Sequence, residues 1–208
     1  MRWLVLSVAW LAWSSASAQP SPSASEDAVV ASMVLPAVTQ RQRSTEPARV
    51  RGHLAVTSGD WQAAVQLFEL AVEEEAGSLR ALRSLGYAHA FGSDLDAAHE
   101  ALYRAASIDP SHAPTIEMLA VVRYRQADYE GALSMFERLS RLQPDGAGAW
   151  LGLGRAALMA ASPDKALEPL ERAIALGENA AVEPYVEALK QLGRRREARQ
   201  IARQYSRR

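Results

Sequence analysis

The sequence predicts an all-α fold in which two-helix units of about 34 residues stack side by side into a solenoid. Alanine recurs at this constant step through four copies, and in three of them an aspartate stands four positions before it. From each alanine, apolar residues follow at i+4 and i+7, the spacing of one face of a helix. A period of this size, repeated in many columns, is the signature of a stacked-repeat architecture. The four stripes are Ala64, Phe68 and Ala71; Ala98, Leu102 and Ala105; Ala132, Phe136 and Leu139; and Ala166, Leu170 and Ala173.

Residues 1–18 have the features of a secretory signal peptide. Arg2 gives a positive start, Trp3 to Trp13 is an uncharged and mostly apolar run, and residues 16–18 (Ala-Ser-Ala) supply the small residues that precede cleavage. The apolar run is shorter than the roughly 20 residues that a bilayer-spanning helix needs. We therefore expect an exported chain, periplasmic or secreted, that begins near Gln19. A retained N-terminal anchor is the alternative.

Residues 19–44 are predicted to form a Ser/Pro-rich linker. Serine and proline at this density leave too little apolar surface to order the segment. An apolar stretch from Ala28 to Val38 interrupts it. A short helix over Glu26 to Leu35, docked on the repeats that follow, is therefore kept as an alternative for part of the linker.

The first helix of each unit carries a small residue at a fixed position. A residue without a bulky side chain lets this helix approach its neighbour closely. The sequence therefore predicts tight helix–helix contact at this column. Its members are Gly52, Gly86, Ala120 and Gly154.

Each second helix is preceded by a residue that suits an N-cap. The side-chain oxygen of such a residue can accept a hydrogen bond from an unpaired backbone N–H in the first helical turn. Proline follows the fourth of them at the first helical position, where its missing N–H costs nothing. The predicted caps are Asp60, Asp94, Asp128 and Ser162, the proline is Pro163, and Pro110 and Pro144 are predicted to end the second and third units.

In these columns the chain resembles the tetratricopeptide repeat family, whose units are helix–turn–helix pairs of about 34 residues. The resemblance implies a right-handed α-α superhelical solenoid over residues 45–208. Four units are placed at 45–78, 79–112, 113–146 and 147–180. A fifth, partial unit that caps the stack covers 179–208.

The resemblance also implies a groove lined by the first helices, where family members hold an extended or helical segment of a partner. Arginine and aromatic side chains predominate at the corresponding positions, and they suit a partner segment with acidic and apolar side chains. The alternative is that the arginines only solvate an exposed helix face. The groove positions are Arg49, His53, Arg80, Arg83, Tyr87, Phe91, Glu117, Val121, Tyr124, Arg125, Leu151, Arg155 and Leu158.

The C-terminal segment is strongly basic. Residues 194–208 contain seven arginines and one glutamate, although the whole chain has a formal net charge of −1. A polar cap that ends the solenoid is the first interpretation, and docking to an anionic surface or an acidic partner is the second. Four of the arginines form a stripe at steps of four residues: Arg195, Arg199, Arg203 and Arg207.

Nothing in the sequence indicates catalysis, a metal site or a cofactor. The absence of cysteine excludes disulfides, thiolate ligands and a thiol nucleophile. The histidines do not form a helical metal-binding pattern, and no phosphate-binding glycine loop, nucleophile elbow or nucleic-acid motif is present. The histidines are His53, His89, His99 and His112.

These observations together predict a non-catalytic scaffold for protein–protein interaction in the cell envelope. It would bind a partner segment in the groove and assemble or localise a multiprotein complex. We expect no membrane-spanning helix after the signal is cleaved, and peripheral association with the envelope is compatible with this prediction. Two alternatives are a holdase-like chaperone for exported proteins and an accessory or regulatory subunit of an envelope enzyme.

Overall fold

A computed structural model describes residues 47–205 of the chain, and these residues form ten α-helices with no strand among them. The predicted all-α class is therefore confirmed. The predicted signal peptide and linker, and Arg207, lie outside the described residues. The helices are α1 (Ala48–Thr57), α2 (Trp61–Glu74), α3 (Leu79–Phe91), α4 (Leu95–Ile108), α5 (Ala113–Arg125), α6 (Tyr129–Leu142), α7 (Ala147–Met159), α8 (Pro163–Ala175), α9 (Val182–Gln191) and α10 (Arg195–Tyr205), with a 3₁₀ turn at Asn179–Ala181 before α9.

The helices pack in chain order as five pairs: α1 with α2, α3 with α4, and so on to α9 with α10. The second helix of each pair also packs on the first helix of the next pair. Each pair therefore buries its apolar faces only against its own partner helix and its neighbours, which is the arrangement of a helical solenoid. The predicted stack of four units and a C-terminal capping unit is confirmed.

The small-residue column brings helices into close contact. A Cβ atom added to Gly52 would lie 2.6 Å from the Phe68 ring, and one added to Gly86 would lie 2.6 Å from Cγ of Leu102. Gly154 stands in the same relation to Leu170, at 2.4 Å. Real Cβ atoms do not approach other atoms so closely, so these positions require glycine unless the backbone shifts.

The second-helix stripes form the core of the solenoid. All twelve of their residues are buried, and none exposes more than 3% of its surface. Alanine in the first and usually the last position of each stripe keeps the helices close, while one larger side chain between them fills the space. The four large residues in the middle of the stripes are Phe68, Leu102, Phe136 and Leu170.

Three of the four predicted N-caps are present. Asp60, Asp94 and Asp128 accept hydrogen bonds from backbone N–H groups in the first turn of α2, α4 and α6, at 2.9, 3.0 and 2.9 Å. The prediction for Ser162 is wrong. Its side chain makes no capping bond, because the N–H of Lys165 donates to the Ser162 backbone carbonyl instead (3.1 Å).

The turn inside each helix pair uses a left-handed residue. The first and last pairs place Gly59 (φ 73°) and Gly193 (φ 76°) there, whereas the middle pairs place Ser93 (φ 70°), Ala127 (φ 60°) and Ala161 (φ 54°). Residues with a Cβ atom pay a steric cost in this region that glycine does not. The middle turns are therefore locally strained.

Helix α10 covers the C-terminal end of the stack. Ala198 is 2% exposed and packs with Val186 and Leu189 of α9, and Ile201 joins this cluster partly buried. The opposite face of α10 carries exposed arginines. This agrees with a polar cap that ends a solenoid. Between residues 47 and 205, no helix has the length and apolar character needed to cross a bilayer.

Candidate partner-binding surface

Helix α3 presents one continuous stripe of four predicted groove residues, which we call the α3 stripe: Arg80, Arg83, Tyr87 and Phe91. Their spacing of three or four residues places them on one face of the helix. The stripe is cationic at the N-terminal end of α3 and aromatic at its C-terminal end. Arg80 and Phe91 are exposed, with 43% of Phe91 accessible, and Arg83 and Tyr87 are half-buried.

The aromatic end of the α3 stripe is joined by Trp61, the first residue of α2. The Trp61 ring stacks on Phe91 with centroids 5.1 Å apart and planes 24° apart, and the centroids of Tyr87 and Phe91 are 4.5 Å apart. Burial in this cluster raises the pKa of the Tyr87 hydroxyl. Trp61 was not among the predicted site residues. The aromatic side chain was the only sequence feature that could have pointed to Trp61. Its contacts are with Tyr87 and Phe91 of the next unit, and these contacts do not follow from its position in the repeat.

The cationic end of the α3 stripe lies close to two predicted groove residues of α1, Arg49 and His53. Burial lowers the pKa of the His53 imidazole, and the charges of Arg49, Arg83 and Arg80 lower it further. The ring of His53 also rests edge-on against Phe68, with centroids 5.1 Å apart. The structure therefore brings these four predicted residues, Arg49, His53, Arg80 and Arg83, into one basic cluster.

One carboxylate neutralises part of this basic cluster. Glu75 accepts a hydrogen bond from Nε of Arg49 at 3.2 Å, and its pKa is lowered first by a hydrogen bond from Ser78 and then by that from Arg49. Among the described residues no ion pair of Arg80 or Arg83 is found within 4.0 Å. The cluster thus keeps positive charge in excess of its local counterions.

Arg83 is the most confined cation of the cluster. Its Nε is buried and has no hydrogen-bond partner, and burial, followed by the charge of Arg80, lowers the pKa of its guanidinium. Its charge also lowers the pKa of His112 beyond the effect of burial. A half-buried guanidinium without an ion-pair partner among the described residues is suited to a carboxylate from outside the chain, because charge-assisted bonds are strong where water is scarce.

The predicted groove residues of α5 include Glu117, Tyr124 and Arg125, and each is held in a different environment. Burial raises the pKa of the Glu117 carboxyl. The ring of Tyr124 meets that of Tyr129 edge-on, with centroids 5.4 Å apart. The guanidinium of Arg125 donates to the backbone carbonyl of Ala90 at the end of α3. Arg125 therefore also serves to connect two units.

The predicted groove residues of α7 lie toward the C-terminal end, and the prediction is wrong for Leu151, which is 2% exposed and belongs to the core. Arg155 of α7 is half-buried and lies near Tyr124. Burial raises the pKa of Tyr124, and the charge of Arg155 acts in the opposite direction. Arg195, Arg199 and Arg203 are exposed on α10, where Nε of Arg199 donates to the Arg195 carbonyl at 3.2 Å. Within residues 47–205, no group of three or more acidic or histidine side chains is arranged to hold a metal ion.

Comparison with known proteins agrees with this architecture. A family model for the tetratricopeptide repeat matches residues 49–113 and 117–181, more than half of the chain. A search of curated proteins finds no match.

Among solved structures, a crystal structure of MamA is similar with a TM-score of 0.71 and 21% identity, over 75% of this chain and 86% of that one. MamA from residue 41 to its end, from Desulfovibrio magneticus RS-1, gives 0.68 and 18% over 77% and 90%. At such low identities the likeness concerns the fold alone. The family match and the stacked helix pairs show that the chain belongs to the tetratricopeptide repeat family.

Proposed function

We propose that this protein is a non-catalytic scaffold that binds a segment of a partner protein along the first helices of its repeats. The basic cluster and the α3 stripe form the main contact. The observation that carries this proposal is the half-buried Arg83, for which no ion pair within 4.0 Å is found among the described residues and which lies one helical turn from Tyr87 of the Tyr87–Phe91 aromatic pair.

The chemistry of this surface defines the partner segment. Arginine makes bidentate, charge-assisted bonds to carboxylates, and Arg80 and Arg83 together present two such groups. Aromatic side chains supply large apolar contact area at a low cost in side-chain entropy. We therefore infer a segment, extended or helical, with acidic side chains at one end and apolar side chains about two helical turns away.

We further propose that the scaffold works in the cell envelope, in the periplasm or outside the cell. This rests on residues 1–18, whose positive start, short apolar run and small residues have the pattern of an export signal. Fusion of a reporter enzyme that is active only after export would give activity under this proposal, and the exported protein would begin near Gln19. An inactive fusion that stays in the cytoplasm with an intact N-terminus would contradict it.

The binding proposal is tested by affinity capture with R80A/R83A. Its matched control is R104A/R172A, which removes two arginines from second helices and the same total charge. We expect R80A/R83A to lose the specific partner and the control to retain it. Since each charge-assisted bond is worth about 1.5–3 kcal/mol, the affinity for the purified partner should fall at least roughly tenfold.

The same experiment separates the scaffold from its alternatives. A holdase-like chaperone would capture many exported proteins, and R80A/R83A and Arg125→Ala would leave that set unchanged. An accessory subunit would change the catalytic rate of a captured enzyme in addition to its location. Identical captured proteins for the wild type and R80A/R83A would refute the proposed binding surface.

A further inference from the structure

A second surface lies on a different part of the chain, between the second helices of the third and fourth units. Helices α6 and α8 form its walls and α7 its floor, enclosing a groove of about 420 Å³. Leu133 and Leu153, each 8% exposed, and the half-buried Trp150 make its interior apolar. The indole of Trp150 is held in place by a hydrogen bond from Nε1 to the Pro144 carbonyl at 2.8 Å.

The rim of this groove is acidic. Glu130 and Glu137 line it from α6 and Glu168 from α8, and all three are exposed. Lys165 contributes one positive charge to the lining, so carboxylates outnumber it. Glu137 also faces Arg141 of its own helix at 3.9 Å, a long and exposed ion pair of small energetic value. An apolar groove with an acidic rim fits a segment that carries basic side chains.

Helix α10 of the same protein carries the charge complementary to this acidic rim. Its apolar side is already packed on α9 through Ala198, so its basic side faces outward. Arg196, Arg199 and Arg203 are exposed and lie at i, i+3 and i+7, which places them on one face. The carboxylate of α10 itself, Glu197, is paired with Arg194 at 2.6 Å and leaves this face basic.

The two charge patterns have the same spacing. Glu130 and Glu137 are seven residues apart on α6, and Arg196 and Arg203 are seven residues apart on α10. Seven residues are two helical turns, about 10.5 Å along the axis, in both cases. A helix lying along α6 can therefore place two guanidinium groups opposite two carboxylates at once.

We propose that α10 of a second copy of this chain docks in the groove between α6 and α8. The contact joins two different surfaces. In a pair of copies, one copy still has a vacant groove and the other still has an uncovered α10, and each can bind a further copy. Such a heterologous contact extends into linear chains, or closes into a ring if the rotation allows it. This inference concerns residues outside the basic cluster and the α3 stripe, and it stands independently of the proposed partner binding.

The proposal is tested on the purified protein by sedimentation velocity over a range of concentration and salt. We expect concentration-dependent association at low ionic strength that weakens as salt screens the charge pairs. The variants E130R/E137R and R196E/R203E should each weaken self-association by about tenfold or more, because each places like charges opposite one another. The matched control E69R/E100R reverses two exposed carboxylates on other helices and should associate like the wild type.

An equimolar mixture of E130R/E137R and R196E/R203E gives the decisive result. In E130R/E137R both the groove and α10 are basic, and in R196E/R203E both are acidic, so neither variant can pair with itself. The basic groove of the first variant can bind the acidic α10 of the second, and the acidic groove of the second can bind the basic α10 of the first. Mixed assemblies that form while each variant alone stays monomeric would support the proposal, and circular dichroism checks that both variants are folded. A monomeric wild type at low salt would overturn it, as would association unchanged by either reversal.

Discussion

Gly86 in α3 lies directly against the buried side chain of Leu102 in α4, so close that a Cβ atom would come within 2.6 Å of Cγ of Leu102. Leu102 is fully buried and cannot move aside. We expect Gly86→Ala to destabilise the protein by about 1–3 kcal/mol, because overpacking outweighs the roughly 0.5–1 kcal/mol that alanine gains over glycine in a helix. Chemical denaturation measures the change.

The control for this prediction is Gly148→Ala on α7. Nothing lies within 4 Å of a Cβ atom added at Gly148. Only the helix preference then acts, and because Gly148 is the second residue of α7, the free energy of unfolding should rise by no more than about 0.5 kcal/mol. If both substitutions changed stability in the same direction, close packing would not be the reason for glycine at position 86.

The fold was predictable from the sequence because each repeated column performs one packing task. Gly86 is small because Leu102 fills the space beside it, and Gly52 has the same relation to Phe68 one repeat earlier in the chain. In a solenoid each helix pair contacts only the pairs before and after it, so the period also determines which helices pack together. Element type and stacking therefore follow from the columns alone.

The site was less predictable, because its contacts do not follow the period. Trp61 occupies a column that holds Leu95 in the next unit, so the repeat gave no reason to single it out. Its stacking on Phe91 arises from this particular pair of side chains. Likewise, the bond from Arg125 to the Ala90 carbonyl cannot be inferred from the residue type, since a solvated arginine has the same sequence signal.

Substitutions at the N-cap positions should differ in their effect on stability, because Asp128 caps its helix and Ser162 does not. Asp128 accepts from the N–H of Gly131 at 2.9 Å and also pairs with Arg123 at 3.1 Å. Asp128→Ala should lower the free energy of unfolding by about 1 kcal/mol, the usual value of a cap. Ser162→Ala should change it by less than about 0.5 kcal/mol, because the serine side chain makes no capping bond. Equal losses for both substitutions in chemical denaturation would contradict this assignment.

The strained turns predict a stabilising change. Ala127 and Ala161 have φ values of 60° and 54°, where glycine stands in the first and last helix pairs. Replacing either alanine by glycine should stabilise the protein by about 0.5–1 kcal/mol, because relief of the steric cost exceeds the added entropy of the unfolded chain. Ala106→Gly inside α4 is the control and should destabilise by a similar amount. A loss of stability at position 127 or 161 would show that the turns are not strained.

The basic cluster predicts a pH dependence of stability. The pKa of His53 is lowered in the folded protein by burial and by Arg49, Arg83 and Arg80, so the native state favours the neutral imidazole. The unfolded state therefore binds a proton more readily, and stability should decrease as the pH falls below about 6.5 toward the folded pKa. His53→Gln should reduce this acid-dependent loss. Denaturation curves collected across this pH range measure it.

Arg83 links two histidines, and this allows a direct test of the cluster. Burial is the largest cause of the lowered pKa of both His53 and His112. The charge of Arg83 lowers both pKa values further, and at His112 it outweighs the opposing effect of Asp109. Arg83→Gln should therefore raise the pKa of both imidazoles, as followed by NMR titration, while Arg104→Gln on α4 should move neither. If Arg83→Gln left both pKa values unchanged, the guanidinium would lie too far from the histidines to form the basic cluster, and the partner-binding surface would lose its electrostatic basis.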